Sequence, residues 1–334
     1  MRQNRQWRLA RRPTGLVDEQ TFRLHTETAP EPAEGQALLR TLYLSLDPTH
    51  RIWITDKDQY LPPVEIGAVM RGSGVAQVVA SRDQRFAVGD LVQGMIGWQD
   101  YVLTGGDLRV SKVPRDAPIP TLLNVAGGTG LTAYFGLTEF GQPKAGETLV
   151  VSAASGAVGS VVGQIGKILG LRVVGITSGA DKCRHLVEEL GFDAAVDRKT
   201  SDWRDALAKA TPDGVDIDFE NVGGEIMDAV MERMNLFSRV VLCGLISGYN
   251  EDGRARGDFE RILMRRINVR GFIVLDFLKR FPEGVAQMLK WVAEGGIRHH
   301  ETIVEGLEAM PLAMNRLFDG DKLGKLMVHV ADPE

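Results

Sequence analysis

The sequence predicts an α/β protein with a discontinuous, β-rich, barrel-like domain and a doubly wound parallel-sheet domain inserted into it. Up to about residue 122, short strand-like runs alternate with Pro and Gly turns, which is typical of a small all-β unit. From residue 123 to 296, apolar strands alternate with helical segments, the pattern of a doubly wound parallel sheet. From residue 297 short β-like pieces return. We therefore expect residues 1–122 and 297–334 to form one domain and residues 123–296 the other.

The individual elements follow from runs of β-forming residues and from helical periodicity. In the β-rich domain, strands are predicted at residues 38–44, 72–80, 88–92 and 326–330. In the inserted domain, strands are predicted at residues 148–153, 172–176, 215–219, 240–243 and 269–274, with helices at 158–169 and 181–190. The Arg-rich start could be a transit peptide, but Trp7 and Leu9 favour a first strand with basic edges.

Composition excludes several classes of function. The formal net charge of −5 gives no indication of a nucleic-acid partner. No apolar run is long enough to cross a membrane, so we expect a soluble protein. With only Cys183 and Cys243 in the chain, a four-cysteine zinc site cannot form. His185 lies two residues after Cys183 and would face another side of a helix, and the pair His299-His300 is interpreted as surface. We therefore expect no metal and two reduced thiols in a cytoplasmic protein.

A glycine-rich turn between a strand and a helix is the strongest functional signal. In residues 154–159 (ASGAVG), Ala154 takes the place of the usual first glycine, whereas Gly156 and Gly159 keep the other two. Such a turn lets the backbone approach a pyrophosphate and directs helix N-terminal amides at it. The segment predicts a Rossmann dinucleotide site that includes Ala157 and Val158.

The end of the following strand indicates which dinucleotide binds. An NAD site needs Asp or Glu there to hold the ribose hydroxyls, but this chain has Thr177 and Ser178. Lys182 offers an ammonium group to a 2′-phosphate, and Arg198, after the third strand, is a second basic candidate. The missing acid and the added base favour NADPH.

The chain as a whole resembles the medium-chain dehydrogenase/reductase superfamily, and within it the zinc-independent prostaglandin and leukotriene reductase type, with plant alkenal reductases and bacterial curcumin reductases. The resemblance is carried by residues 4–7 (NRQW), 44–48 (LSLDP), 70–74 (MRGSG), 130–136 (GLTAYFG), 155–159 (SGAVG), 220–224 (ENVGG), 243–250 (CGLISGYN) and 271–274 (GFIV). It implies a GroES-like catalytic domain and a Rossmann domain. Residues 70–74 also lack the Gly-His-Glu ligands of the zinc enzymes, which agrees with the cysteine count.

The resemblance implies reduction of a carbon–carbon double bond conjugated to a carbonyl, with NADPH as the hydride source. Tyr249 matches the family tyrosine beside the nicotinamide ribose, and its phenol could donate a hydrogen bond to an enolate oxygen. Further cofactor contacts are implied for Thr129, Asn221, Cys243, Phe272, Ile273 and Val274.

The chain departs from the family pattern at three places. Where the family often has Tyr-Met-Arg, with the tyrosine lining the substrate pocket, this chain has Thr49-His50-Arg51. Lys322 replaces an asparagine that contacts the cofactor, and Arg198 stands where relatives have a tyrosine. We expect Thr49, His50, Arg51 and Tyr249 to line the substrate pocket, and Lys322 to meet a phosphate.

Two other functions remain open at this point. One is an NADPH:quinone oxidoreductase, and the other is a non-catalytic NADPH-binding regulatory or structural protein. The resemblance also implies a homodimer, for which the strand at 269–274 is a candidate pairing edge.

Overall fold

The structure, a computed structural model, describes residues 1–115, 118–251, 257–320 and 322–334. The chain divides into two compact units, Met1–Leu123 with Glu301–Glu334, and Asn124–His300. The sequence predicts the corresponding changes at residues 122/123 and 296/297. None of the helices in the described ranges is long and apolar enough to cross a membrane.

The first unit is β-rich, and its described strands pair antiparallel except for Glu301–Glu305 and Lys325–His329, which pair with each other in parallel. Its strands are β1 (Gln3–Leu9), β2 (Phe22–Thr28), β3 (Ala37–Ser45), β4 (Gly74–Ser81), β5 (Leu91–Gly94), β6 (Tyr101–Leu103), β7 (Val110–Val113), β14 (Glu301–Glu305) and β15 (Lys325–His329). Its helices are α1 (Thr49–Trp53), α2 (Ile119–Leu123) and α10 (Met310–Ala313). Among the described residues, the strand order of the main sheet is β14-β15-β3-β4-β5-β7, with β6 on β3 and a separate β1–β2 pair.

The second unit is the predicted doubly wound domain. Its strands are β8 (Thr148–Val151), β9 (Arg172–Thr177), β10 (Ala194–Asp197), β11 (Val215–Glu220), β12 (Met234–Leu242) and β13 (Asn268–Gly271). Its helices are α3 (Gly128–Phe135), α4 (Ala157–Ile168), α5 (Ala180–Arg184), α6 (Trp203–Ala210), α7 (Gly224–Met231), α8 (Phe259–Arg265) and α9 (Phe281–Ala293). The strands pair in parallel in the order β10-β9-β8-β11-β12-β13. The fold class predicted from the sequence is confirmed.

Two predicted elements end differently in the structure. The helix predicted at 181–190 is α-helical only to Arg184 and continues as a π-helical turn, His185–Glu189. The strand predicted at 269–274 ends at Gly271, because the chain turns into a 3-10 segment, Val274–Arg280. The apolar character of residues 272–274 reflects packing, since Phe272 contacts Phe140 and Phe219.

Both faces of the parallel sheet are covered. Ile217 and Phe219 of β11 join one apolar cluster, and Val150 and Val240 of the flanking strands join the other. Because successive strand residues point to opposite faces, Asp218 faces the second cluster. β8, β11 and β12 are neighbouring parallel strands, so their carboxyl ends lie together at one end of the sheet.

Candidate cofactor and active site

The turn between β8 and α4 has the geometry of a dinucleotide-binding loop. A Cβ on Gly159 would lie 2.6 Å from the Ala153 carbonyl oxygen and 2.9 Å from the Ala154 Cα, so only glycine lets the helix pack this closely on the turn. Gly156 caps α4 in an extended conformation. The left-handed residue of the turn is Ala153, with φ of +48°. The sequence did not predict that position, because alanine rarely adopts positive φ.

The start of α4 fits a phosphate group. The helix is 12 residues long, and within the described chain no side chain caps its first turn. The amide groups of Ala157 and Val158 therefore lie where a helix N-terminus attracts an anion. The residues present thus suit the pyrophosphate of a dinucleotide.

The end of β9 is joined to this turn through hydroxyl groups. Thr177 is buried, and its Oγ1 lies 2.7 Å from Ser155 Oγ. Beyond it, Gly179 adopts φ of +97°, and its N–H donates to Asp197 Oδ1 at 2.8 Å. The same oxygen accepts the Lys199 N–H at 3.0 Å. These backbone donors lower the pKa of Asp197, so this carboxylate is used to hold the backbone after β9 and β10.

Basic and hydroxyl side chains surround this strand end. Ser178 and Lys182 are half-buried, and Arg198 is exposed. Lys182 lies on α5, which begins directly after the Gly179 turn. The structure therefore places Lys182 and Arg198 after neighbouring strands, β9 and β10, and their contact with a 2′-phosphate stays a prediction.

An open pocket of about 460 Å³ lies at the carboxyl ends of β12 and β13. It is lined by Leu242, Cys243, Gly244, Leu245, Tyr249, Gly271, Phe272, Ile273 and Asp276. Four residues predicted from the sequence, Cys243, Tyr249, Phe272 and Ile273, thus share one cavity. Val274 follows immediately as the first residue of the 3-10 segment.

The phenol of Tyr249 is positioned by the backbone. Its oxygen accepts the Leu245 N–H at 3.1 Å, and it would lie 3.2 Å from a Cβ placed on Gly244. A phenol oxygen that accepts one hydrogen bond can still donate its own proton to another oxygen. The arrangement fixes the hydroxyl at a wall of the pocket.

The thiol of Cys243 contributes a neutral surface to the same pocket. Burial, with a smaller contribution from the Glu220 carboxylate, raises the pKa of Cys243 to about 12. The Cys243 thiol is therefore protonated at neutral pH.

Asn221 joins two strand ends beside the pocket. Its backbone N–H donates to Ser152 Oγ at 2.7 Å, and its side-chain amide donates to the Ser152 carbonyl at 2.8 Å. Ser152 Oγ in turn donates to Glu220 Oε1 at 2.7 Å. The predicted cofactor residue Asn221 therefore also locks the ends of β8 and β11 together.

Two predicted cofactor residues, Thr129 and Lys322, do not line the pocket at the ends of β12 and β13. Thr129, on α3, donates its hydroxyl to the Asn124 carbonyl at 3.3 Å. Lys322 belongs to the first unit and is half-buried just before β15.

The predicted substrate residues of the first unit begin α1. Thr49 is half-buried, and its hydroxyl hydrogen-bonds to the Tyr60 hydroxyl. His50 has no solvent exposure, and burial lowers its pKa to about 4, so the ring is neutral. Arg51 is 3% exposed and donates to the carbonyls of Pro13 and Gly15 at 3.1 and 3.0 Å. His50 and Arg51 thus point into the unit, because consecutive residues of a helical turn face different directions.

Tyr60 was not identified from the sequence. Its hydroxyl accepts the Trp53 indole N–H at 2.9 Å in addition to its contact with Thr49. A tyrosine hydroxyl therefore lies against the position where the resemblance expects a tyrosine. No sequence signal indicates that Tyr60 contacts Thr49, because the contact depends on the path of the loop after α1.

Comparison with known proteins identifies the class. Residues 5–112 match the family described as N-terminal domain of oxidoreductase, and residues 157–294 match the family described as Zinc-binding dehydrogenase. The chain is 45% identical to the NADPH-dependent curcumin reductase of Escherichia coli (strain K12), over 98% of this chain and 97% of that one. It is 37% identical to the 2-alkenal reductase (NADP(+)-dependent) of Nicotiana tabacum, over 98% of each chain.

A solved structure shows the same likeness. The crystal structure of CurA in complex with NADPH from Vibrio vulnificus matches with a TM-score of 0.93 and 44% identity, covering 98% of this chain and 100% of that one. The fold and the site define a zinc-independent medium-chain dehydrogenase/reductase. Within that superfamily, the chain belongs to the family of the curcumin, prostaglandin and 2-alkenal reductases, as its motifs indicated.

Proposed function

We propose that this protein reduces the carbon–carbon double bond of α,β-unsaturated ketones and aldehydes with NADPH. The observation that carries the proposal is the pocket at the ends of β12 and β13, where the Tyr249 hydroxyl is held among Cys243, Phe272 and Ile273. Membership of a family of NADPH-dependent C=C reductases supports it.

The chemistry requires a hydride, a hydrogen-bond donor that stabilises the charge developing on the carbonyl oxygen, and a proton. NADPH, when bound, supplies the hydride to the β-carbon of the substrate. The amides of Ala157 and Val158 at the start of α4 would hold the pyrophosphate, and Lys182 with Arg198 would hold the 2′-phosphate. Tyr249 donates a hydrogen bond to the carbonyl oxygen, which gains negative charge as the enolate forms. Water supplies the proton to the α-carbon.

A substrate screen tests the proposed activity. Purified protein with NADPH is offered 2-alkenals, simple enones and quinones, and NADPH oxidation is followed by absorbance. We expect turnover of enones and alkenals, with saturated carbonyl products. Turnover of quinones alone would indicate a quinone oxidoreductase, and no turnover at all would indicate a cofactor-binding protein without catalysis.

Cofactor selectivity is predicted to depend on Lys182. Lys182→Ala should raise the KM for NADPH about tenfold or more and leave that for NADH nearly unchanged, because charge-assisted contacts contribute about 1.5–3 kcal/mol. Arg184→Ala is the matched control, since Arg184 lies on the same helix and pairs with Asp181. Equal KM values for the two cofactors in the unmodified protein would contradict the assignment.

Substrate preference is predicted to depend on Tyr60. Tyr60→Phe removes the hydroxyl that contacts Thr49 and should change KM among enone substrates severalfold, since one hydrogen bond contributes about 0.5–1.5 kcal/mol. NADPH affinity should not change. Tyr101→Phe, on β6 of the same unit, serves as the control. Identical KM values for every substrate would remove Tyr60 from the substrate site.

The surroundings of β13 support a homodimer. This strand lies at an edge of the parallel sheet. On β12 and the nearby α8, Phe237, Phe259, Leu263 and Met264 are 66%, 77%, 68% and 59% exposed. An apolar group of this kind beside an open strand edge fits a second copy of the chain. Sedimentation of the wild type and of Leu263→Asp distinguishes a dimer through this face from a monomer.

The cytoplasm is the proposed location. Both Cys183 and Cys243 are free thiols. Reduced cysteines and an NADPH-consuming reaction suit a reducing compartment. Cell fractionation with antibody detection tests this.

A further inference from the structure

We propose that His185, Glu189 and His300 form a binding site for a divalent transition-metal ion on the nucleotide-binding unit, separate from the cofactor pocket. His185 Nδ1 lies 3.1 Å and His300 Nε2 lies 3.6 Å from the same Glu189 oxygen, Oε2. One ligand atom of each residue lies within 4.8 Å of those of the other two. Zinc bound tetrahedrally to nitrogen and oxygen at its usual distances separates neighbouring ligands by roughly 3.3 Å.

The chemistry of the three groups selects the ion. Two imidazoles and one carboxylate suit Zn²⁺, Ni²⁺, Co²⁺ or Cu²⁺, whereas Mg²⁺ and Ca²⁺ prefer oxygen ligands. His300 and Glu189 are exposed, so water can complete the coordination. The two imidazole rings are 4.9 Å apart and nearly perpendicular, at 77°.

The backbone on both sides of the cluster is held in place. His185 and Glu189 are the first and last residues of the π-helical turn, in which the Leu190 N–H donates to the His185 carbonyl at 3.2 Å. Turns of this kind are frequent at functional sites. They place residues four apart on nearly the same side of the helix. His185 itself is buried, so its ring has little freedom.

The segment that carries His300 is fixed by buried amides. The Gln164 side chain accepts the Arg298 N–H at 2.8 Å and donates to the Arg298 carbonyl at 2.9 Å. The Asn124 amide donates to the His300 carbonyl at 3.4 Å, and the Arg298 guanidinium donates to the Glu189 carbonyl at 3.3 Å. A metal ion would therefore join two segments that the Arg298–Glu189 hydrogen bond already links.

The sequence could not show this cluster. From sequence alone, His299-His300 is predicted to be surface, and His185 is considered as a metal ligand only together with Cys183. His185 and His300 are far apart along the chain, so no local pattern pairs them. The proposed ion takes no part in hydride transfer, since none of its ligands lines the pocket at the ends of β12 and β13. It would connect the helix that carries Lys182 to the segment where the chain leaves this unit at His300.

Direct metal binding tests the proposal. Protein without a histidine tag, first stripped with chelator, is dialysed against Zn²⁺ and the bound metal is measured; Co²⁺ is then bound and its visible absorption recorded. We expect one Zn²⁺ per chain and a tetrahedral or five-coordinate Co²⁺ spectrum. His300→Ala and Glu189→Gln should each weaken binding at least tenfold, as loss of even an outer partner costs roughly 10–100-fold.

His299→Ala is the matched control and should bind Zn²⁺ like the wild type. Unchanged NADPH affinity in all variants shows that the fold is intact, and the stripped enzyme should keep its enone reductase activity. Equal Zn²⁺ affinity of the wild type and His300→Ala would overturn the proposal. Loss of Zn²⁺ binding in His299→Ala as well as in His300→Ala would also overturn the proposal, because the ion would then bind with His299 as a ligand.

Discussion

Tyr249→Phe is expected to slow hydride transfer to a simple enone by between about tenfold and a hundredfold while NADPH affinity stays nearly constant. The substitution keeps the ring that lines the pocket and removes only the hydroxyl, which accepts the Leu245 N–H in the structure. A donor that acts mainly in the transition state affects turnover more than binding. Loss of one such donor costs roughly 2.7–4 kcal/mol where no other group substitutes. We expect less, because a ribose hydroxyl of NADPH can share the contact.

The measurement is single-turnover hydride transfer at saturating NADPH, with chemistry shown to limit the rate. Tyr134→Phe is the control, since Tyr134 lies on α3 of the same unit and its hydroxyl donates to a Glu283 oxygen at 3.5 Å, outside the pocket lining. Because the Leu245 N–H loses its acceptor in Tyr249→Phe, thermal unfolding is compared as well. Identical rates for Tyr249→Phe and wild type would make Tyr249 a packing residue.

Asp218→Asn is expected to stabilise the protein at neutral and alkaline pH. Asp218 is fully buried in the centre of the parallel sheet, and neither carboxylate oxygen has a hydrogen-bond partner among the described residues. Burial, together with the charge of Glu220 two residues along the strand, raises the pKa of Asp218 well above its ordinary value. An unsatisfied buried polar group costs about 1–3 kcal/mol, and a charged one costs more.

The sign of the pH dependence follows from this raised pKa. Above the ordinary Asp pKa of about 3.9, the unfolded chain releases the Asp218 proton and the folded chain retains it. Stability of the wild type therefore falls as the pH rises from there toward the folded pKa. The asparagine side chain of the Asp218→Asn variant cannot ionise, so the variant lacks this loss. The two proteins should be similar in acid and diverge as the pH increases.

Asp216→Asn provides the matched control on the same strand. The Asp216 carboxylate accepts the Thr148 N–H at 2.9 Å and the Asn235 amide at 2.8 Å, so its replacement should destabilise the protein. Denaturant unfolding at several pH values measures all three proteins. If Asp218→Asn lowered the free energy of unfolding across the whole range, the carboxylate would have partners that stabilise its charge.

Local sequence predicted those parts of the site that depend on local structure. Gly156 and Gly159 were assigned from their spacing, because a strand, a tight turn and a helix impose the same steric limits wherever they occur. The strands that lead to the pocket were recognised for the same reason, as buried parallel strands are continuous apolar runs. Cys243 and Tyr249 came from the family motif and meet at the pocket in the structure.

Contacts between distant segments could not be predicted in this way. Tyr60 approaches Thr49, and His300 approaches His185, only because the tertiary fold brings separate elements together. Burial could not be predicted either. The sequence places His50 in a pocket motif, but in the structure its ring is fully buried. Side-chain direction within a short helix depends on packing, which sequence spacing alone does not determine.

We expect the hydride to go to the β-carbon of a conjugated carbonyl compound. The measurement uses NADPH deuterated at the transferable position of the nicotinamide, a simple enone such as butenone, and analysis of the product by mass spectrometry and NMR. The expected product is a saturated ketone with one deuterium on the β-carbon and an α-proton from water. An allylic alcohol with deuterium on the former carbonyl carbon would contradict this expectation, because the enzyme would then reduce the carbonyl group itself.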